Sequence, residues 1–383
     1  MKLQSLLENF KRGILVAEKI IGKNLTLPIL SNILIEAEKG RLRVSATNLE
    51  MGVMCFLRAK IEKEGRVAIP GRVIGGYLTN LPDGSRLSIE VRGQTLSLIS
   101  EGSHATIKGV DAKDFPIIPR PQVSRLLEVD GQVFQENVAK TVSSAALSET
   151  RQELTGVMFG FEKDCLVLAA TDSFRLAEAT IDFSKGDAGE GYQKFISKNP
   201  SVIVPAKTLQ EVARSITTES GKVKIYVSES QIFFESDEIL FVSRLIDGKY
   251  PEYKQVIPKE FASGIFVWRE DLARAIRTAS VFSDTKSREV RLIIKEKGSK
   301  LKVESQSVET GENMTEVNCE LRVKGESAIA FNNRYLVDAL GALSSERVYI
   351  GFNDSFGPVA FQELQNKDEL NESYLHIVMP IRS

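Results

Sequence analysis

The side chains that most often carry catalysis are scarce in this sequence. Among its 383 residues only His104 and His376 could supply an imidazole, and they lie far apart in the chain. The three cysteines, Cys55, Cys165 and Cys319, are odd in number and widely spaced, which argues against a disulfide framework or a cysteine zinc site. We therefore predict neither a metal nor a cofactor, and we expect the cysteines to be buried as small apolar side chains.

Sequence motifs of the common enzyme classes are also missing. The sequence has no His-Glu-x-x-His, no Gly-x-Ser-x-Gly and no phosphate-binding Gly-x-x-x-x-Gly-Lys motif. The glycine-rich segment 186–191 follows no strand of the required kind and precedes no obvious helix, so we interpret it as a flexible loop. A carboxylate-based site stays open among 51 acidic residues. An enzyme is the weaker hypothesis.

Composition and charge describe an ordinary soluble globular chain. Hydrophobic residues make up 42% and charged residues 26%, and the formal net charge is -1. These values exclude disorder and a uniformly basic coat for nucleic acid. No apolar run approaches the ~20 residues that cross a bilayer, and the first residues do not read as a signal peptide. We expect a cytoplasmic protein.

The hydrophobic pattern repeats three times along the chain. Amphipathic helical segments at 8–23, 135–146 and 268–280 are each followed by alternating, strand-like stretches. A second helix is predicted in each repeat at 70–80, 205–218 and 332–343, and proline begins the first two, where its missing N–H is not needed. Pro70 to Pro205 spans 135 residues, as does Pro116 to Pro251. The sequence therefore predicts an α+β fold of three similar domains with antiparallel sheets, at 1–126, 127–262 and 263–383.

Several short segments, in this order, resemble those of one known family. They are 25–30 (LTLPIL), 47–51 (TNLEM), 170–177 (ATDSFRLA), 245–251 (LIDGKYP) and 378–382 (VMPIR). Taken together, they resemble the bacterial DNA polymerase III beta subunit, the sliding clamp, along essentially the whole chain.

The resemblance implies a non-catalytic processivity factor. Such a protein is a head-to-tail homodimer that forms a closed six-domain ring of the DNA clamp fold, with helices facing double-stranded DNA in the central hole. It is opened by a clamp loader, and it tethers the replicative polymerase alpha subunit and repair proteins through short peptide motifs. A heterologous contact closes into such a ring when the rotation between subunits permits it. The resemblance implies no membrane partner.

The distribution of charge along the sequence gives modest support to a ring around DNA. The six predicted helices carry 12 basic and 7 acidic residues, a net charge of +5 in a chain of net charge -1. Contacts with phosphates carry no base information, so binding should be independent of sequence and should weaken steeply with salt. The candidate DNA-facing residues on these helices are Lys11, Arg12, Lys19, Lys23, Arg72, Lys140, Lys207, Arg214, Arg274 and Arg277. The family resemblance implies a further one, Arg151.

The resemblance also implies a hydrophobic pocket for a peptide similar to Gln-Leu-x-Leu-Phe. Burying one Leu and one Phe of that peptide suggests micromolar affinity. Phe174 and Gln255 replace basic or imidazole side chains that are frequent in relatives, and Phe356 and Pro358 are further candidates for the wall. The implied pocket residues are Leu154, Thr171, Ser173, Phe174, Arg175, Leu176, Pro251, Gln255, Val256, Val378, Met379, Pro380, Ile381 and Arg382.

The dimer contact implied by the resemblance pairs Ala105 and Ile107 of the first domain with Val281 and Phe282 of the third. Two alternatives remain beside the sliding clamp. One is a clamp-like scaffold that binds proteins without encircling DNA. The other is an enzyme with a carboxylate-based site.

Overall fold

The computed structural model describes residues 1–22, 27–38, 40–184, 186–198, 200–216, 221–295, 299–323, 325–366 and 369–382. The helices within these residues are α1 (Leu7–Ile20), α2 (Gly71–Thr79), α3 (Gly131–Val142), α4 (Tyr192–Ile196), α5 (Ala206–Ser215), α6 (Arg269–Ser280) and α7 (Asn333–Ala342). None of them is long and apolar enough to cross a membrane.

Short antiparallel strands make up most of the remaining structure. The first thirteen are β1 (Lys2–Leu6), β2 (Asn32–Glu38), β3 (Arg41–Thr47), β4 (Met51–Leu57), β5 (Lys60–Lys63), β6 (Gly65–Pro70), β7 (Arg86–Arg92), β8 (Thr95–Ser100), β9 (Ser103–Lys108), β10 (Leu127–Asp130), β11 (Gly156–Phe161), β12 (Cys165–Thr171) and β13 (Arg175–Asp182). The others are β14 (Ser201–Pro205), β15 (Lys222–Val227), β16 (Gln231–Ser236), β17 (Ile239–Arg244), β18 (Ser263–Trp268), β19 (Glu289–Ile294), β20 (Lys300–Ser307), β21 (Gly311–Arg322), β22 (Ser327–Asn332), β23 (Arg347–Phe352), β24 (Val359–Glu363) and β25 (Tyr374–Val378).

All six predicted helices are present, with shifted ends. The helix predicted at 135–146 begins at Gly131 instead, because Asp130 Oδ1 accepts the N–H of Val133 at 3.0 Å and caps an earlier first turn. The segment after the glycine-rich loop was wrongly interpreted, since the short helix α4 follows it directly. The predicted ends at Lys23 and Thr218 lie outside the described residues.

The first compact unit comprises Met1–Gln135, Phe183–Lys198 and Lys207–Ile246. It holds a five-stranded sheet in the order β5-β1-β7-β8-β9 and an eight-stranded sheet in the order β10-β15-β16-β17-β4-β3-β2-β6. The pairing of β4 with β17, which places Met51 opposite Ser243, joins strands of the first and second predicted domains. Helix α1 packs on β3, β4 and α2 through its buried apolar stripe, which includes Phe10 and Ile14.

The second compact unit comprises Glu136–Asp182, Asn199–Ala206 and Asp247–Ser383. Its twelve strands run in the order β14-β11-β12-β13-β25-β24-β23-β18-β21-β20-β19-β22. Here β13 pairs with β25 and places Arg175 opposite Val378, so a strand of the second predicted domain again joins one of the third. Helices α6 and α7 pack against each other, and α6 also covers β20 and β21. The division into three domains stays a prediction.

Candidate functional site

A five-residue turn between β12 and β13 is the centre of the predicted pocket. Thr171 Oγ1 donates to the carbonyl of Arg175 at 2.6 Å and accepts the N–H of Ser173 at 3.1 Å. Asp172 Oδ1 accepts the N–H groups of Phe174 and Arg175 at 3.0 and 3.1 Å. Ser173 takes a left-handed φ of 79°. These bonds fix the backbone so that the Phe174 side chain is 60% exposed.

The strands around this turn bring distant segments to the same end of the sheet. Strands β13 and β24 are both antiparallel to β25, so both begin where β25 ends. The residues before β13 and β24 therefore meet the chain that follows β25. Phe356, 58% exposed, precedes β24 in a turn where Asp354 Oδ1 accepts its N–H at 2.8 Å. Phe174, Phe356 and Met379 thus share one edge of the second unit.

The predicted pocket residues divide by exposure. Leu154, Thr171, Arg175, Leu176, Val378 and Pro380 are buried. Those exposed or half-buried are Ser173, Phe174, Pro251, Gln255, Val256, Met379, Ile381 and Arg382. Ile381 is held by its N–H bond to the carbonyl of Ala330 at 2.7 Å. The first group supports the site, and only the second is available to a ligand.

Two tyrosines hold the segment that contains Pro251 and Val256 against strands β12 and β13. Tyr250 OH accepts the N–H of Thr171 at 3.0 Å, and Tyr253 OH donates to the carboxylate of Glu178. Burial is the main reason that the pKa of each phenol is raised, so both remain protonated at neutral pH. Tyr250 was visible in the sequence as part of the motif at 245–251, although only its neighbour Pro251 was assigned to the pocket.

Arg175 supports the turn from inside the protein. Its Nε donates to Asp172 Oδ2 at 3.0 Å, it forms an ion pair with Asp338 of α7, and its guanidinium lies 4.7 Å from the centre of the Tyr335 ring. Only 3% of the side chain is exposed. Sequence reasoning missed Asp338 and Tyr335, because nothing local marks residues 160 and more positions away as partners of Arg175.

The same turn occurs in the first unit between β3 and β4. Thr47 Oγ1 donates to the carbonyl of Met51 at 2.8 Å and accepts the N–H of Leu49 at 3.0 Å. Asn48 Oδ1 accepts the N–H groups of Glu50 and Met51, and Leu49 has a φ of 74°. The N–H of Arg244 then donates to the carbonyl of Glu50 at 2.9 Å. The motifs at 47–51 and 171–175 are therefore structural equivalents.

The predicted DNA-facing cations of the first unit line the helices. Arg12, Lys19, Arg72, Lys207 and Arg214 are exposed, and Lys11 is half-buried. A groove of about 530 Å³ between α1 and α5 is lined by Lys11, Arg12, Lys19 and Arg214. Two of these cations have acidic partners, since Lys11 lies 3.3 Å from Asp83 and Arg214 lies 2.9 Å from Glu211. Lys23 lies outside the described residues.

In the second unit the predicted cations differ in availability. Arg277 and Arg274 are exposed on α6, and Arg274 lies 3.4 Å from Asp271. Arg151 pairs with Glu153 at 3.0 Å and donates to Ser173 Oγ at 3.3 Å.

Lys140 does not fit the predicted DNA-facing role. Its ammonium lies 2.9 Å from Glu363 Oε1 and 5.2 Å from the centre of the Tyr374 ring, with most of the side chain buried. Its charge is satisfied within the fold.

The open strand edges of the described residues include those of β9 and β21. Strand β9 pairs only with β8, and the first part of β21, residues 311–318, pairs only with β20. Of the predicted interface residues, Ala105 is half-buried and Ile107 is buried on β9. Val281 is exposed at the end of α6, and Phe282 is half-buried.

The described residues contain no group of three or more His, Cys, Asp or Glu side chains that could hold a metal ion. The three cysteines are free; Cys55 is buried as predicted, whereas Cys165 and Cys319 are half-buried. His376 is fully buried, and its Nδ1 lies 2.9 Å from Tyr374 OH.

Comparison with known proteins agrees with this architecture. Family profiles of the DNA polymerase III beta subunit match in three pieces: the N-terminal domain over residues 1–119, the central domain over 128–252 and the C-terminal domain over 254–382. The chain belongs to the DNA polymerase III beta subunit family.

The relatives that match along almost the whole chain are named beta sliding clamps. A beta sliding clamp of Synechocystis is 30% identical over 399 residues, covering 100% of this chain and 99% of the relative. A beta sliding clamp of Caulobacter vibrioides is 29% identical and covers 95% of each chain. The solved beta subunit of Thermotoga maritima superposes with a TM-score of 0.88 at 28% identity, covering 100% of this chain and 99% of that one. As a member of this family, the chain is a sliding clamp that gives a DNA polymerase its processivity, and not an enzyme.

Proposed function

We propose that two copies of this chain close head to tail into a ring around duplex DNA in the cytoplasm. The observation that carries the proposal is the pattern of strand pairing between repeats. Strand β17, the last of the second repeat, pairs with β4 of the first, and β25, the last of the third, pairs with β13 of the second. Strand β9, the last of the first repeat, and β21, the counterpart of β4 and β13, are left with open edges.

Pairing of β9 with residues 311–318 of β21 in a second copy would satisfy both edges in the manner already used twice within the chain. It would also remove two exposed edges that invite aggregation. Because the two surfaces differ, the contact is heterologous, and two such contacts close a dimer. Ala105 and Ile107 lie on β9, and Val281 and Phe282 follow α6, which packs on β21. Their predicted interface role is consistent with this arrangement.

DNA would be held through the cations on the helices. Arg12, Arg72, Lys207 and Arg277 are exposed and no carboxylate of the described residues pairs with them. Such contacts bind phosphates without reading bases, so the ring can slide. Each phosphate neutralised contributes about -0.9 to the slope of log affinity against log salt.

The replicative polymerase, the clamp loader and repair proteins would bind at the edge formed by Phe174, Val256, Phe356 and Met379. These four apolar side chains are exposed or half-buried, and hydrogen bonds fix the backbone at Phe174, Phe356 and Met379. A preorganised site reduces the ordering cost of binding a short peptide. Methionine suits a site that accepts several partners.

The decisive experiment is retention on circular DNA. A bacterial clamp loader places the protein on nicked circular DNA, which is then separated from free protein and cut once with a restriction enzyme. A ring stays on the circle and slides off the linear product. Equal retention on both forms would show ordinary binding and would contradict encirclement. A monomeric mass in solution at micromolar concentration would favour the alternative of a scaffold that does not encircle DNA.

A further inference from the structure

A second concave site lies in the first unit, away from the residues discussed so far. A cavity of about 390 Å³ opens between strands β2, β3, β4 and β6 and the segment 112–120. Its volume falls in the range of small-ligand pockets. Four cationic side chains line it, Arg43, Arg66, Lys113 and Arg120, against one carboxylate, Glu36. The lining therefore carries an excess of three positive charges.

Glu36 is already neutralised by its neighbour. It is 6% exposed, and it lies opposite Arg43 on one side and Arg66 on the other in the strand register. Arg43 Nε donates to Glu36 Oε2 at 3.0 Å. A buried carboxylate with this partner takes up the charge of one arginine, which leaves the three other cations for a ligand.

The other three cations have weak partners or no acidic partner at all. Lys113 Nζ lies 3.8 Å from Asp111 Oδ2 in an exposed pair, which contributes little. The Arg120 guanidinium lies 5.4 Å from the centre of the Phe56 ring. Arg66 forms no ion pair with any carboxylate of the described residues.

The repeat provides an internal control on whether the fold requires these charges. In the first repeat the cross-strand neighbours of Glu36 are Arg43 and Arg66. The equivalent residue of the second repeat is Gly160, whose cross-strand neighbours are Val167 and Ser201. In the third repeat Ile293 lies between Lys302 and Ala328. The same sheet forms three times, and only the first copy carries this charged triplet. The fold therefore does not need it.

We propose that this cavity binds a small phosphorylated ligand of the nucleotide class. Its phosphates would lie on Arg66, Lys113 and Arg120, whose three charges equal those of a fully ionised nucleoside diphosphate and offset most of those of a triphosphate. Arginine binds phosphate through two parallel hydrogen bonds. Apolar side chains complete the lining and suit a ring rather than a bare anion: Leu34, Met54, Phe115 and Ile118.

Isothermal titration calorimetry on the full chain tests the proposal. The probes are dATP, pyrophosphate and deoxyadenosine, without magnesium so that the phosphates keep their full charge. We expect saturable binding of dATP, binding of pyrophosphate at least tenfold weaker, and none of deoxyadenosine. Arg66→Ala and Arg120→Ala should each weaken dATP binding tenfold or more. Arg86→Ala, on β7 and outside the cavity lining, is the matched control and should bind as the parent does.

Four outcomes would overturn the proposal. They are no heat of binding at millimolar dATP, equal affinity for dATP and pyrophosphate, undiminished binding by both cavity variants, and equal loss in the Arg86→Ala control. Thermal unfolding of each variant separates a lost site from a lost fold. An unfolded Arg66→Ala would be replaced by Arg66→Gln, which keeps the length of the side chain.

Discussion

The amide nitrogen of Met379 donates a hydrogen bond of 2.8 Å to the carbonyl oxygen of Phe174. This bond continues the pairing of β13 with β25 past its last regular pair, Arg175 with Val378. It joins the chain after β25 to a turn more than 200 residues earlier. The bond therefore also sets the position of a candidate binding residue, Met379.

Met379→Ala should weaken binding of a labelled Gln-Leu-Ser-Leu-Phe peptide about tenfold, because the half-buried thioether leaves the site while the backbone bond remains. Fluorescence anisotropy at physiological salt measures the affinity. Val308→Ala, fully exposed after β20, is the control and should change nothing. Unchanged binding by Met379→Ala would contradict the assignment. Leu176 is unsuitable for this test, since it is buried and its truncation would cost about 2–5 kcal/mol of stability.

Phe174→Ala should also lower peptide affinity about tenfold, or about 1.4 kcal/mol, through loss of aromatic contact. Phe174→Leu retains apolar surface and should lose less. The unfolding temperature should be the same for both variants, because the side chain is mostly exposed. Tighter binding by Phe174→Ala would mean that the ring obstructs the peptide.

Arg175→Ala should destabilise the second unit by about 3 kcal/mol, since it leaves Asp172 and Asp338 without their buried cation. Urea unfolding followed by circular dichroism measures the change. Arg151→Ala removes an exposed cation from the same neighbourhood and should change stability by less than about 1 kcal/mol. Equal losses of stability in the two variants would show that the buried ion pairs of Arg175 contribute no more than the exposed pair of Arg151.

The burial of the His376 imidazole predicts that the protein loses stability at acidic pH. Burial lowers the pKa of its imidazole from 6.5 to about 3, so between these values the unfolded chain binds a proton that the folded chain does not. The free energy of unfolding from this group therefore falls as pH drops below about 6.5 and stops falling near 3. His376→Gln should flatten the pH dependence between 4 and 6.5. His104→Gln, at an exposed position, is the control for the loss of an imidazole side chain.

Proline substitutions on β9 test the proposed dimer contact. Consecutive residues of an antiparallel strand direct their N–H groups to opposite sides, so one of Ala105 and Thr106 offers its N–H to the open edge. Of Ala105→Pro and Thr106→Pro, one should keep the fold and yet dissociate the dimer, as measured by sedimentation. If the folded variant stays dimeric, the contact lies elsewhere.

Much of the architecture could be predicted because the signals are local and occur three times. Helix periodicity predicted six helices, and the strand-like stretches predicted after the first helix of each repeat include β3, β12 and β20. The start of α3 was missed because the Asp130 cap outweighed the apolar pattern. The helix α4 is five residues long, too short for periodicity to show.

The candidate site was harder to predict, because motifs identify positions and not the direction of side chains. Phe174 and Met379 are accessible, whereas Arg175, in the same motif, points into an ion-pair cluster with Asp338. Lys140 was assigned by its place on a helix, and its pairing with Glu363 joins residues 223 positions apart. Neither Asp338 nor Glu363 can be identified as a partner from the sequence around Arg175 or Lys140.

The shared sheets have a consequence for any attempt to excise the middle third of the chain. Expressed alone, residues 127–262 would keep their own helices but would lose β4 beside β17 and β25 beside β13. Two rows of unpaired peptide groups would face water and would recruit one another into aggregates. The three repeats are thus joined by shared sheets, and we expect a cut at either boundary predicted from the sequence to expose strands that are paired in the whole chain.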